Sequence, residues 1–275
     1  GLNALIETAG LDRTNLLTRD LAFSIAPRLN AAGRLQDMTV GIECLLSTGS
    51  RAEELAYYLD ELNRERRDIE KNMRDEAIGL IDALSLEGQK SAGICLYGSN
   101  WHEGVVGIIA SRIKERTYRP AIAFAPVSDS ELKGSGRSVE GFHLRDALDA
   151  LATENPGLLL RFGGHAMAAG LSIRKADFDR FCQAFDNQVT RLLGSADLEK
   201  VVMTDGSLDE EITLEIARLL ELAAPWGQGF SEPQFDDDFE VLEQRIVGGS
   251  HLKLLLQPSK GQPVDAICFN HPGLL

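Results

Sequence analysis

Residues 51–84, "RAEELAYYLDELNRERRDIEKNMRDEAIGLIDAL", run for thirty-odd positions without a proline. Leu55, Leu59, Leu62, Ile69, Met73, Leu80 and Leu84 recur at spacings of three, four or their sums, and the remainder is dense in Glu, Arg, Asp and Lys. That periodicity predicts one continuous helix. At about 1.5 Å per residue it would be roughly 50 Å long, further than a small domain reaches. Its apolar stripe thins in the middle, where only Ile69 stands between Leu62 and Met73. A coiled-coil seam would not thin there, so a connector between two domains, solvated at its centre, is expected.

The chain on either side of this rod is organised differently. A short helical segment opens it. From residue 91, short apolar runs alternate with helical patterns: strands at 92–98, 120–126 and 169–173 and near 132–139, and helices at 103–118, 143–153 and 175–193. Such alternation predicts a compact α/β domain. After a helix at 213–223 and the Pro/Gly-rich "APWGQGFSEPQF", three strand-like runs follow, "FEVLEQRIV", "HLKLLLQP" and "VDAICFN". They suggest the start of a small β-barrel or sandwich. The chain lacks an initiator Met and stops just after a strand-like run, so part of a longer protein is expected.

Charge limits the partners only locally. The net charge of −14 divides into −5 over residues 1–90, +1 over 91–195 and −10 over 196–275. The middle third is therefore the least repulsive to phosphate. No signal peptide or apolar run of membrane-spanning length is visible, and a cytoplasmic protein is expected. Cysteines 44, 95, 182 and 268 have no short spacing, which excludes a CxxC zinc or redox site.

Four segments carry candidate chemistry. In "LKGSGRS" (132–138), Gly134 and Gly136 would let backbone N–H groups approach an anion, Ser135 and Ser138 add hydroxyls, and Arg137 can grip phosphate with parallel N–H bonds. The alternative is a glycine-rich hairpin with an exposed Arg. In "APRLNAAGRL" (26–35), Arg28, Asn30 and Arg34 lie within two turns of each other, and solvated arginines at a helix end are the alternative. In "NWHEGVVGIIASR" (100–112), Asn100 is a plausible N-cap and the helix N-terminus an anion site, although Glu103 could answer the same dipole, and His102 could be a surface histidine. In "RFGGHAMAAG" (161–170), small residues clear space around His165, and Gly163 and Gly164 permit backbone approaches other residues forbid.

The histidines form no HxxxH or HxH pattern, "DDD" at 236–238 reads as a solvated turn, and no GxSxG elbow exists. The residues alone thus describe an anion-gripping α/β module without an evident nucleophile or metal cage.

Together, "APRLNAAGR", "WHEGVVGIIASRI", "KGSGRS" and "FGGHAMAAG", followed by "APWGQGFSEP", resemble in order and spacing the C-terminal part of the RecJ family of DHH phosphoesterases. The resemblance covers essentially the whole chain. It implies the end of a DHH catalytic domain at 1–50, a connecting helix at 51–90, a DHH-associated domain at 91–195 and an incomplete oligonucleotide-binding (OB) fold at 196–275. It also implies a metal-dependent 5′→3′ exonuclease of DNA repair and recombination, specific for single-stranded DNA. Its Mn2+ or Mg2+ would be held by residues outside this chain, since the family's Asp-His-His motif is absent, and this portion alone would be inactive. His165 would act at the scissile phosphate. Arg28, Asn30, Arg34, His102, Ser135, Gly136, Arg137, Ser138, Gly163 and Gly164 would bind the substrate strand. A monomer with no membrane association is implied, with single-stranded-DNA-binding protein as a candidate partner. Two alternatives remain: a non-catalytic module binding single-stranded DNA or protein, and a DHH enzyme of oligonucleotides or cyclic dinucleotides, which should lack the "NAAGR" and "APWGQG" segments.

Overall fold

The computed structural model describes residues 1–86, 91–194, 201–208, 212–227, 229–249, 251–269, 271 and 273. The expected domain limits at 90 and 195, Asn270 of the last predicted strand and the side chain of Leu84 lie outside them. The chain divides into two compact units. One comprises Gly1–Leu16 with Asp20–Lys200, the other Leu17–Arg19 with Val201–Leu275.

The first unit begins with the short helix α1 (Leu2–Thr8); α2 (Thr18–Asp20), whose first two residues are counted with the second unit, runs through a π turn (Leu21–Ile25) into α3 (Ala26–Leu35). The wide turn has a local cause. Pro27 has no N–H for the carbonyl of Phe23 and its ring would press on it. The ladder instead opens so that the Ala26 N–H reaches back five residues to Leu21 O. Next come α4 (Thr39–Leu46) and the long helix α5, Gly49–Leu86, in one piece.

Helix α5 serves two cores. Leu55, Ala56, Leu59 and Leu62 pack with residues of α1, the π turn, α3 and α4 such as Leu5, Ile25, Ala31 and Cys44. Met73, Ala77 and Ile81 pack with the following domain. Leu80, predicted in the stripe, is exposed because Ala77 and Ile81 hold the inward face. The centre departs from expectation more sharply. Asn63 is buried, and the side chains of Asp60, Arg66 and Glu70 are only 8%, 11% and 14% exposed. The apolar stripe thins because polar side chains replace it on the same buried face, not because the helix crosses solvent.

The domain after α5 is a five-stranded sheet of order β1-β2-β3-β5-β4. Its strands are β1 (Ile94–Tyr97), β2 (Ala121–Pro126), β3 (Glu131–Arg137), β4 (Arg161–Gly164) and β5 (Ala168–Arg174). Only β1 and β2 are parallel. On one face, Ile122, Phe124, Leu132, Leu171 and Ile173 pack on α7 (Leu144–Glu154) and α8 (Phe178–Leu193). On the other, Ala121, Ala123 and Ala125 lie under α6 (Val106–Thr117) and the C-terminal half of α5. Strand β2, inside the sheet between β1 and β3, is buried on both faces, and its alanines allow close helix approach.

The second unit holds α9 (Leu214–Ala223) and an antiparallel sheet, β6 (Phe239–Val247), β7 (His251–Pro258) and β8 (Val264–Cys268). The "APWGQGFSEP" segment folds into a turn in which Gly227 and Phe230 exchange both backbone hydrogen bonds, and Trp226 Nε1 donates to Leu220 O at 2.8 Å. Among the described residues these strands form an open sheet rather than a closed barrel.

Candidate functional site

The "KGSGR" run is strand β3, paired with β2 on one side and β5 on the other. Its N–H groups belong to the two ladders, so no anion nest forms. The glycines serve packing instead. A Cβ on Gly134 would lie 2.6 Å from the Phe124 ring, and one on Gly136 would lie 2.7 Å from Leu144. Gly136 therefore faces the core, which corrects its assignment to phosphate. Ser138 is likewise set apart: it is buried, and its hydroxyl donates to Phe142 O at 2.6 Å.

Strand alternation turns Lys133, Ser135 and Arg137 to the opposite face. There, Arg137 Nη1 donates to Ser135 Oγ at 3.1 Å and to Gly136 O at 2.8 Å. Helix α6 arrives at this point through Gly107, where a Cβ would lie 3.0 Å from Arg137 Nη2 and 3.1 Å from Ser135 Oγ. The N-cap of α6 is Val105, not Asn100, and it supplies no side-chain acceptor. A guanidinium thus stands against the positive end of a helix dipole, an arrangement that an anion would relieve. Glu103 does not answer that dipole, because it pairs with Lys133 at 2.7 Å.

Arg34 joins from the end of α3. Its Nη1 donates to Gly104 O at 3.2 Å, and Gly104 has no room for a side chain, since a Cβ would lie 2.0 Å from Arg34 O. The Gly104 N–H donates to His102 Nδ1 at 3.1 Å, which leaves the neutral ring its proton on Nε2. Burial, with Arg34 next, pushes the Arg137 guanidinium below its usual value. Among the described residues, neither Arg34 nor Arg137 has a carboxylate within ion-pair distance. Asn30 is exposed one turn before Arg34.

Arg28 is directed elsewhere. Its Nε and Nη2 both lie 2.9 Å from Asp60 Oδ1, and Nη1 donates to Ser24 O at 2.6 Å. It closes a buried ion pair between α3 and α5 and is not available to a strand of nucleic acid.

The "RFGGHAMAAG" run is a β-hairpin, a strand pairing not anticipated for residues 161–164. Gly164 has φ +144°, and a Cβ there would lie 2.4 Å from Ala168 O. Gly163 differs: it pairs with Gly170, which pairs with Ser135, so all three share the face on which α6 ends. A Cβ on Gly163 or Gly170 would meet nothing within 4 Å. The sheet beside Ser135 and Arg137 is therefore bare. His165 is exposed at the turn, with its N–H bonded to Ala168 O, and Ala168 is the cross-strand partner of Arg137. Ser135, Arg137, Arg34, His102 and the hairpin glycines thus surround one region of the first unit.

Arg66 and Glu70, at the buried centre of α5, were not singled out from sequence. Arg66 Nη1 lies 2.5 Å from Glu70 and its Nη2 donates to Asn63 Oδ1 at 3.1 Å. The only hint was the thinned stripe itself. Among the described residues no group of three or more His, Cys, Asp or Glu is placed to hold a metal ion. The described residues therefore offer no ligand set that fits the divalent ion implied by the resemblance. No helix among the described residues is long and apolar enough to cross a membrane.

A DHHA1 domain model matches residues 90–191, and a RecJ OB domain model matches residues 204–275. The single-stranded-DNA-specific exonuclease RecJ of Dickeya dadantii (strain 3937) is 51% identical over 279 residues, covering 100% of this chain and 48% of that protein. The protein of the same name from Escherichia coli (strain K12) is 50% identical over 274 residues, covering 98% and 48%. The crystal structure of RecJ in complex with Mg2+ from Thermus thermophilus matches with a TM-score of 0.78 at 30% identity, covering 100% of this chain and 41% of that one. The chain spans about half the length of the curated relatives it matches. With both domains matched and this identity along its whole length, the chain belongs to the RecJ family.

Proposed function

We propose that this chain is the substrate-gripping portion of a single-stranded-DNA-specific 5′→3′ exonuclease, with Mn2+ or Mg2+ held by side chains outside it. The observation that carries this reading is the convergence of Arg34 and Arg137, two guanidinium groups without carboxylate partners among the described residues, beside Ser135 and the start of α6. Supporting it, relatives at 51% and 50% identity are named single-stranded-DNA-specific exonucleases, and matching RecJ structures are described as complexes with Mg2+ or Mn2+.

In this reading Arg137 and Ser135 hold one phosphate with charge-assisted hydrogen bonds, and Arg34 adds a second cation. The sugar–phosphate chain passes over the bare Gly163–Gly170 pair. His102 offers Nε2–H at the edge of the cleft. His165 hydrogen-bonds a phosphate oxygen of the bond being cut or assists a proton transfer there. We also place the protein in the cytoplasm as a monomer.

The second unit supports a protein partner more than a DNA track. It carries most of the net charge of −10 over residues 196–275, and Leu214, Leu219 and Leu222 are exposed on α9. Single-stranded-DNA-binding protein is the partner we propose for it. The match to a RecJ OB domain favours the exonuclease over a cyclic-dinucleotide enzyme. Binding of a 5′-phosphorylated single-stranded oligonucleotide by this chain tests the phosphate site, and equal affinity for the Arg137→Ala variant would overturn it.

A further inference from the structure

The polar centre of α5 is an unusual thing to bury. Arg66 has a side chain only 11% exposed, and its three nitrogens are treated unequally. Nη1 pairs with Glu70 and Nη2 donates to Asn63, but Nε is buried without a hydrogen-bond partner among the described residues. An unpaired buried donor costs free energy, and a second cation nearby adds to the cost. Burial pushes the Arg66 guanidinium below its usual value, Glu70 opposes that, and Arg67 and Arg34 add to it. Arg34 is the residue whose Nη1 grips the loop before α6. Glu70 is shared, since its other oxygen lies 3.5 Å from Arg112 of α6. A structural ion pair would be better built from one cation and one carboxylate, away from other cations. This cluster instead holds positive charge together and braces it from both sides.

We propose that Arg66 is a positioning residue of the phosphate site: clamped by Asn63 and Glu70 on α5, where Leu35, the neighbour of Arg34, packs in one cluster with Ile69 and Met73, it raises the positive potential that the phosphate meets. The inference rests on reading Arg34 and Arg137 as phosphate ligands. Arg66 itself need not touch the nucleic acid. Its effect is that of a fixed charge in a water-poor setting, where Coulomb terms are larger than at the surface. Glu70 is the counter-charge that tempers it.

The test is the affinity of this chain for a 5′-phosphorylated single-stranded oligonucleotide, followed by fluorescence anisotropy from low to high salt, with melting temperatures recorded for each variant. Arg66→Met is expected to weaken binding about three- to tenfold at low salt, the difference closing as salt rises. Arg66→Lys keeps the charge and should retain most of the affinity. Glu70→Gln should tighten binding several-fold, which a merely structural brace would not do. Should Arg66→Met fail to fold, the Arg66→Lys and Glu70→Gln results decide. Unchanged affinity and salt slope in folded Arg66→Met, or weaker binding in Glu70→Gln, would overturn the inference. Arg137→Ala separates the two levels. If it removes binding while Arg66→Met does not, this inference alone falls; if the parent chain does not bind, the phosphate site falls with it.

Discussion

Gly163 and Gly170 sit directly opposite each other on β4 and β5, and neither has a neighbour where its Cβ would stand. Their row continues to Ser135 on β3, which α6 covers through Gly107. Side chains are thus missing where the sheet emerges from under the helix, next to arginines that have no carboxylate partner among the described residues. Gly164, one residue on, is a glycine for a different reason, its φ of +144° and the closeness of Ala168 O. Gly163→Val should therefore leave stability within about 0.5 kcal/mol of the parent while lowering oligonucleotide affinity several-fold. Gly164→Ala should destabilise by about 2–4 kcal/mol. Chemical denaturation beside binding isotherms checks both, and a large stability loss in Gly163→Val would contradict the open face.

Arg28 and Asp60 give the opposite pattern. Their side chains are 12% and 8% exposed, and Arg64 also reaches Asp60, at 2.7 Å. Removing one partner of a buried pair leaves the other charge incompletely matched, and Arg28→Met should cost about 3 kcal/mol of stability. The affinity of the folded fraction for oligonucleotide should be unchanged. Loss of affinity at constant stability would return Arg28 to the binding site.

Ser138 tests the reassignment within the "KGSGRS" motif. Ser138→Ala removes the donor to Phe142 O and should cost about 1–2 kcal/mol, again without changing affinity. Ser135→Ala should do the reverse, because Ser135 Oγ contacts only Arg137 in this motif and faces the cleft. Melting curves and binding curves for the two variants distinguish them.

Regular elements were legible wherever period and composition agreed. The strands "FEVLEQRIV" and "HLKLLLQP" have the limits read from their β-branched and apolar runs, and α5 extends only two residues beyond each predicted end. The strand at 161–164 was not legible, because "RFGG" offers one apolar side chain and its pairing is decided by Gly170 and Ala169 across the hairpin. The buried centre of α5 was hidden for a related reason. Polar residues on a helix read as solvated unless their partners are known: Arg66 and Glu70 are an i,i+4 pair on α5, but their burial and the approach of Arg112 come only through tertiary packing. In the site, Arg34, Ser135, Arg137, His102 and His165 stood out by residue type beside glycine. Which glycine served backbone approach and which served the core depended on strand register. Gly104 and Gly107 could have been recognised, since two glycines at the start of a helix signal something passing close.

We propose that Arg137, with Ser135 and Arg34, forms a phosphate site on the face shared by β3 and α6. Its most direct measurement is the salt dependence of binding between this chain and a 5′-phosphorylated single-stranded oligonucleotide, for the parent and Arg137→Ala. Arg137→Ala is expected to bind at least roughly tenfold more weakly at low salt, with a slope of log affinity against log salt shallower by about one. Equal affinity and equal slope in a folded Arg137→Ala protein would contradict it.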